Sequence, residues 1–181
     1  MARKPRDELA GGVHHVWARG NARGLVFRDD RDRRTYLALL ARVVRWKRWR
    51  CLAYCLMDNH THLLVETPHP NLGRGVQWLH GHYARLFNDR HGRSGHVFQG
   101  RFGSKLATSD EQLWHAAAYV VRNPVEAGLC AHPRDWEWSS YAATLAAPRP
   151  RWLDAERLLG TLPDSGRDPV RRYEELVNGT G

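Results

Sequence analysis

Arg50-Cys51-Leu52-Ala53-Tyr54-Cys55-Leu56-Met57-Asp58-Asn59-His60-Thr61-His62-Leu63-Leu64-Val65-Glu66 is the stretch on which the fold turns. Two runs rich in apolar, β-branched and aromatic residues flank Met57-Asp58-Asn59, whose Asp and Asn favour a turn. The reading is a strand from Arg50 to Leu56 and a second from His60 to Glu66, paired antiparallel through a tight connection.

Towards the N-terminus, Val13-His14-His15-Val16-Trp17-Ala18-Arg19 has strand composition and is broken by Gly20-Asn21. Asp29 or Asp30 can then cap a helix running to about Trp46, with Tyr36, Leu39, Leu40, Val43 and Val44 on its apolar face. Towards the C-terminus, Pro68 and Pro70 punctuate the chain. Asn71 can cap a second long helix with Leu72, Val76, Leu79, Tyr83, Leu86 and Phe87 inward, ended by Gly92 and Gly95. His96 to about Ala107 reads as a fourth strand. Ser109 with Gln112 forms a capping box for a third helix, about Glu111 to Arg122, which Asn123-Pro124 is expected to stop. After Gly128 the chain is rich in Pro, Trp and Arg, with short helical patterns at Ser139–Leu145, Asp154–Leu159 and Pro169–Val177.

The order β-α-β-β-α-β followed by helix predicts an α+β fold of the ferredoxin-like, split βαβ, type. Its antiparallel sheet carries the two long helices on one face and leaves the other face free. That architecture hosts unrelated functions, so activity must be argued from the site.

The chain has 181 residues, enough for one domain with a real core and a short extension. Lys and Arg outnumber Asp and Glu by 28 to 19, a net +9 that suits a polyanionic partner. The basic residues are spread from Arg3 to Arg172 and interleaved with aromatics, as in Arg45-Trp46-Lys47-Arg48-Trp49-Arg50. This favours a nucleic-acid groove over a charged tail, although any single run also fits a solvated face. No apolar run approaches the roughly 20 residues that span a bilayer. The basic start Met1-Ala2-Arg3-Lys4-Pro5-Arg6-Asp7 leads into no apolar segment, so no signal peptide is expected. Three cysteines, Cys51, Cys55 and Cys130, form no disulfide framework and point to a reducing cytoplasm. Cys51 and Cys55, at i and i+4 of one strand, are read as sharing a face and packing in the core.

His60-Thr61-His62 lies on a predicted strand, so both imidazoles project from one face about 6–7 Å apart and can hold one divalent ion. The same pattern also fits two partly exposed histidines without a ligand. On the third helix, His115, Tyr119 and Asn123 follow at i, i+4 and i+8, roughly along one face. A tyrosine hydroxyl beside a phosphate can act as a nucleophile, and an Asn carbonyl is a hard oxygen ligand. By spacing alone, Tyr119 fits a core aromatic better than a nucleophile, and Asn123 a helix end before Pro124 better than a ligand.

Several segments in order add to these patterns: Arg19-Gly20-Asn21; Tyr54 through Glu66; Gly95-His96-Val97-Phe98-Gln99-Gly100-Arg101-Phe102; Tyr119-Val120-Val121-Arg122-Asn123-Pro124-Val125-Glu126-Ala127-Gly128-Leu129; and Trp136-Glu137-Trp138-Ser139-Ser140-Tyr141. Together, over about residues 1–145, they resemble the REP-associated tyrosine transposases, single-tyrosine HUH transposases of bacterial insertion sequences. One departure is Thr61, where those proteins carry an apolar residue between the histidines. The resemblance implies that His60, His62 and Asn123 are ligands of a divalent metal, Mg or Mn, and that Tyr119 is the nucleophile. It implies nicking and strand transfer of single-stranded DNA through a 5′-phosphotyrosine link, with recognition of a hairpin. Residues 1–125 would form the catalytic domain, its last helix carrying the nucleophile, and residues 126–181 a helical extension packed on it and able to reach DNA.

Arg19, Asn21, Gln99, Arg101, Lys105 and Arg122 are the expected DNA-binding residues, with Trp17, Phe98 and Trp114 as weaker candidates for base stacking. The expected setting is cytoplasmic, with single-stranded or hairpin DNA as partner, no membrane, and a monomer or homodimer. Three other readings compete. An HUH replication-initiator nickase is disfavoured by the absence of a helicase segment and the single candidate tyrosine. A non-catalytic nucleic-acid-binding protein of the same fold would carry strand aromatics in an RNP pattern, which is absent here. A hydrolase would use water at the His60 and His62 ion.

Overall fold

The computed structural model describes residues 8–163 and 166–179; the basic stretch at residues 1–7 lies outside them. Strands β1 (Gly12–Arg19), β2 (Arg50–Met57), β3 (His60–Thr67) and β4 (Gly103–Ala107) form one antiparallel sheet in the order β2-β3-β1-β4. Helix α1 (Asp30–Lys47) joins β1 to β2 and α2 (Leu72–His91) joins β3 to β4. This is the expected ferredoxin-like α+β topology, with β1 and β3 side by side in the middle.

Helices α1 and α2 cover one face. Tyr36, Leu40 and Val43 of α1 and Val76, Leu79 and Tyr83 of α2 meet Val16, Ala18, Tyr54, Leu56, Leu63 and Val65 of the sheet in one buried cluster. Asp29 accepts from the Asp32 N–H and caps α1 as expected. Asn71 precedes α2 without a side-chain cap; its Oδ1 accepts from Trp49 Nε1 at 2.6 Å, tying α2 to the end of α1.

The opposite face is not free. Helix α3 (Asp110–Glu126) lies on it with α4 (Tyr141–Leu145), α5 (Ala155–Leu159) and α6 (Pro169–Gly179). Leu113, Ala117 and Val121 of α3 join Tyr141, Leu158 and Tyr173 around Leu52, Ala53, Cys55 and Leu64 in a second buried cluster. Residues after 126 therefore share the core with the sheet, and α3 itself runs across position 125. They also close the β2 edge: Leu56 N–H donates to Trp138 O at 2.9 Å, Ser140 N–H to Tyr54 O at 2.9 Å and Asp154 N–H to Cys51 O at 2.8 Å.

Two expected boundaries shift. The fourth strand starts at Gly103, not His96. Gly95 and Gly100 take positive φ (87° and 64°), breaking the extended run, and Val97–Gln99 instead clamps the end of β1. There Gln99 N–H donates to Arg19 O at 2.8 Å and Asn21 N–H to Val97 O at 2.9 Å. Helix α3 passes through Pro124 and ends one turn later, closed by Ala127 N–H on Asn123 O at 2.9 Å and by Gly128 at φ 69°. A bulge at Leu52, between the pairs Cys51↔Val65 and Ala53↔Leu64, turns Cys51 into the first cluster and Cys55 into the second. The two thiols thus lie on opposite faces. Among the described residues no helix is long and apolar enough to cross a membrane.

Candidate active site

At one end of the second face, β1 and β3 stand side by side with α3 across them. His60 and His62, two apart on β3, put their rings on the same side with centroids 5.0 Å apart. Tyr119 of α3 sets its ring edge-on to His62, centroids 5.6 Å apart at 87°. One turn on, the Asn123 side chain faces both histidine rings in the same cavity. Its Nδ2 donates to the Tyr119 carbonyl at 2.7 Å, which orients the amide against α3. One chain supplies all four groups.

The turn that presents the pair is pinned from both sides. Arg33, buried on α1, donates to the Asp58 carboxylate, while the Asp58 carbonyl accepts from Val26 N–H at 2.8 Å and Phe27 N–H at 3.1 Å. The Asn59 carbonyl accepts from Gly20 N–H at 2.7 Å, and its Oδ1 lies 2.7 Å from His60 Nδ1. These bonds fix the first histidine relative to β1.

Around the four groups lies a cavity of ≈ 780 Å³ lined by Trp17, Arg19, Gln99, Arg101 and Lys105 among others. Its floor at Trp17 depends on Gly103: a Cβ there would sit 2.2 Å from the indole. Burial pushes His62 down to about 3, with the neighbouring His15, His60 and Arg19 adding to the effect. Burial also lowers His60, with Asn123 opposing and Arg19 assisting. Both rings are therefore neutral at neutral pH and keep a lone pair for a cation. Two imidazoles and an amide oxygen make a donor set that fits a borderline or hard divalent ion and leaves its charge intact.

Tyr119 is 44% exposed, whereas Tyr36, Tyr54, Tyr83, Tyr141 and Tyr173 are all buried. Burial raises the phenol pKa at each of those five. Of the six tyrosines, one alone is accessible, and its ring stands edge-on to His62.

A family model described as Transposase IS200 like matches residues 10–123, from the start of the sheet to the asparagine of this site. The chain belongs to the IS200-like transposase family. Within it, the resemblance to REP-associated tyrosine transposases agrees with the relatives found. A Haemophilus influenzae protein named as a REP-associated tyrosine transposase is 27% identical over 101 residues, covering 50% of this chain and 57% of that protein. The chain thus spans just over half the length of that curated relative. A solved REP-associated tyrosine transposase bound to a REP hairpin shares the fold with a TM-score of 0.69 at 16% identity, over 93% of this chain and 94% of its own.

In this member of the IS200-like transposase family the residues expected from sequence separate into two groups. Tyr119, His60, His62, Asn123, Arg19, Gln99, Arg101 and Lys105 line one cavity. Arg122 turns away, with Nη1 donating to the Val177 carbonyl at 3.1 Å and Nε 3.9 Å from Glu126, so it ties α3 to α6. Asn21 sits in a single 3₁₀ turn and is anchored there through its backbone. Phe98 is buried and stacks on His80 with centroids 4.3 Å apart, and Trp114 donates to Thr161 O at 3.1 Å. Both are packing residues, whereas Trp17 faces the cavity. His115 lines a neighbouring recess on the far side of Tyr119. Sequence reasoning passed over His15, whose Nε2 lies 2.9 Å from His62 Nδ1. Strand parity held the signal, since His15 shares a face with Trp17 and, once β1 and β3 are paired, with His62.

Proposed function

We propose that this transposase cuts and rejoins single-stranded DNA through Tyr119, with a divalent cation, Mg²⁺ or Mn²⁺, held by His60, His62 and Asn123. The observation that carries the reading is the one accessible phenol, placed edge-on to His62 and in one cavity with His60. When bound, the cation supplies charge stabilisation at the phosphate and orients the scissile group.

The chain's own residues do the rest. Tyr119 Oη attacks phosphorus, forming a 5′-phosphotyrosine, while the bond to the 3′-oxygen breaks. The phenol proton passes to solvent and the leaving oxygen takes one up, giving a 3′-hydroxyl. Reversal by another 3′-hydroxyl conserves the phosphodiester energy, so joining needs no nucleotide cofactor. A neutral phenol is a weak nucleophile, so positioning of the phosphate beside Tyr119 matters most. Arg19, Arg101 and Lys105 hold the backbone in the cavity, and Trp17 offers a ring face for stacking. A hairpin with an adjoining single strand is the DNA form proposed, because a relative of the same fold was solved on a REP hairpin.

The test is covalent capture. Labelled single-stranded hairpin DNA incubated with the protein and Mn²⁺ yields a denaturation-resistant protein–DNA adduct. Tyr119→Phe and His60→Ala each abolish it. A free 5′-phosphate product that persists in Tyr119→Phe would instead mean that water is the nucleophile and overturn the reading.

A further inference from the structure

We infer that His15 is a positioning residue of the metal site, holding His62 in the one tautomer and orientation that can present Nε2 to a cation. This rests on the reading of His60, His62 and Asn123 as the cation-holding set.

An imidazole that binds a cation through one nitrogen carries its proton on the other, and that N–H needs an acceptor. His60 has one next door: Asn59 Oδ1 lies 2.7 Å from its Nδ1. His62 has no such neighbour in sequence. Its Nδ1 instead meets Nε2 of His15 at 2.9 Å, across from β3 to β1. With His62 Nδ1–H donating and His15 Nε2 accepting, Nε2 of His62 keeps its lone pair for the cavity. Both histidines of the pair then have an acceptor of their own, one from the turn and one from the central strand.

The sheet fixes His15 in that role. The β1–β3 register sets His15 opposite Leu64 and Trp17 opposite His62, so His15 and His62 are diagonal neighbours on one face. Their rings stack with centroids 5.2 Å apart at 23°. Trp17 packs against the His15 ring at 5.2 Å, and the Tyr119 ring meets it edge-on at 5.6 Å and 73°. Held on these sides, the ring has little rotational freedom. It acts as an acceptor for His62: its Nε2 is aimed at His62 itself, and among the described residues no three His, Cys, Asp or Glu side chains are grouped to hold an ion.

Mn²⁺ titration of the full chain without DNA, read by electron paramagnetic resonance, tests the assignment. His15→Phe keeps a ring and removes the acceptor. It weakens Mn²⁺ binding by about 10–100-fold, the usual cost of losing such a partner. His15→Gln, whose Oε1 can take the place of Nε2, restores most of the affinity. Nitrogen-15 NMR of the metal-free wild type shows His62 protonated on Nδ1, and this readout decides the matter even where His15→Phe does not fold. Mn²⁺ bound as tightly by His15→Phe as by wild type, or His62 protonated on Nε2 in the wild type, overturns the role of His15 and leaves the metal site standing. A wild type that binds no Mn²⁺ overturns the metal site and this role with it.

Discussion

Asn123 serves both its helix and the cavity: Nδ2 grips the Tyr119 carbonyl while the same amide reaches His60 and His62. Asn123→Ala therefore lowers metal-dependent cleavage more than it lowers DNA affinity, as measured by single-turnover cleavage beside a binding titration. Equal losses in both would make the residue structural. Gly103 matters by absence, since the Trp17 indole occupies the space of its missing Cβ. Gly103→Ala forces the indole off the cavity floor at a cost of about 1–3 kcal/mol, read as a lowered denaturation midpoint and weaker single-strand binding. His60, His62, Tyr119 and Asn123 were legible because their spacings, i+2 on a strand and i+4 on a helix, survive folding unchanged. His15 was not, since its partner lies 47 residues away and only strand register joins them. Arg122 lies off the cavity because one step along a helix turns a side chain by about 100°, here towards α6.

At the level of elements, sequence patterning located every strand and long helix but not their irregularities. Hydrophobic spacing marks the apolar faces of α1 and α2, except that Leu86, expected inward on α2, is exposed. It is silent on the bulge at Leu52, which parts Cys51 from Cys55, and on the positive φ at Gly100 that ends the expected fourth strand early. The cover on the second face was illegible for another reason: the helical patterns of α4 and α5 show in the sequence, but five residues each are too few to define a face and so to say where they pack. Their packing is substantial all the same. Tyr141 is fully buried between α3, α6 and the sheet, so Tyr141→Ala costs about 3–5 kcal/mol by creating a cavity, measurable in urea unfolding. A loss under about 1 kcal/mol would mean that residues after 126 dock only loosely on the catalytic fold.

For the molecule as a whole, charge and burial set how it responds to solution conditions. Three cations in the cavity, Arg19, Arg101 and Lys105, give single-strand affinity a slope of about −2 or steeper in log K against log salt. Lys105→Ala flattens that slope by about 0.7, and a slope unchanged by the substitution removes Lys105 from the phosphate path. Stability has its own pH signature. Burial depresses His15 to about 4 and His62 and His80 to about 3, against an ordinary 6.5. Below 6.5 the unfolded chain binds protons that the folded chain refuses, so stability is lost as pH falls through that window. The metal-free protein accordingly melts at a lower temperature at about pH 4.5 than at about pH 7; an unchanged or higher Tm in acid would show these rings to be solvated.

If the phenol beside His62 carries the DNA end, peptide mass spectrometry of the nuclease-trimmed adduct finds a nucleotide joined through its 5′-phosphate to Tyr119. A nucleotide on any other side chain, or a 3′-phosphate at the junction, rules Tyr119 out as that carrier.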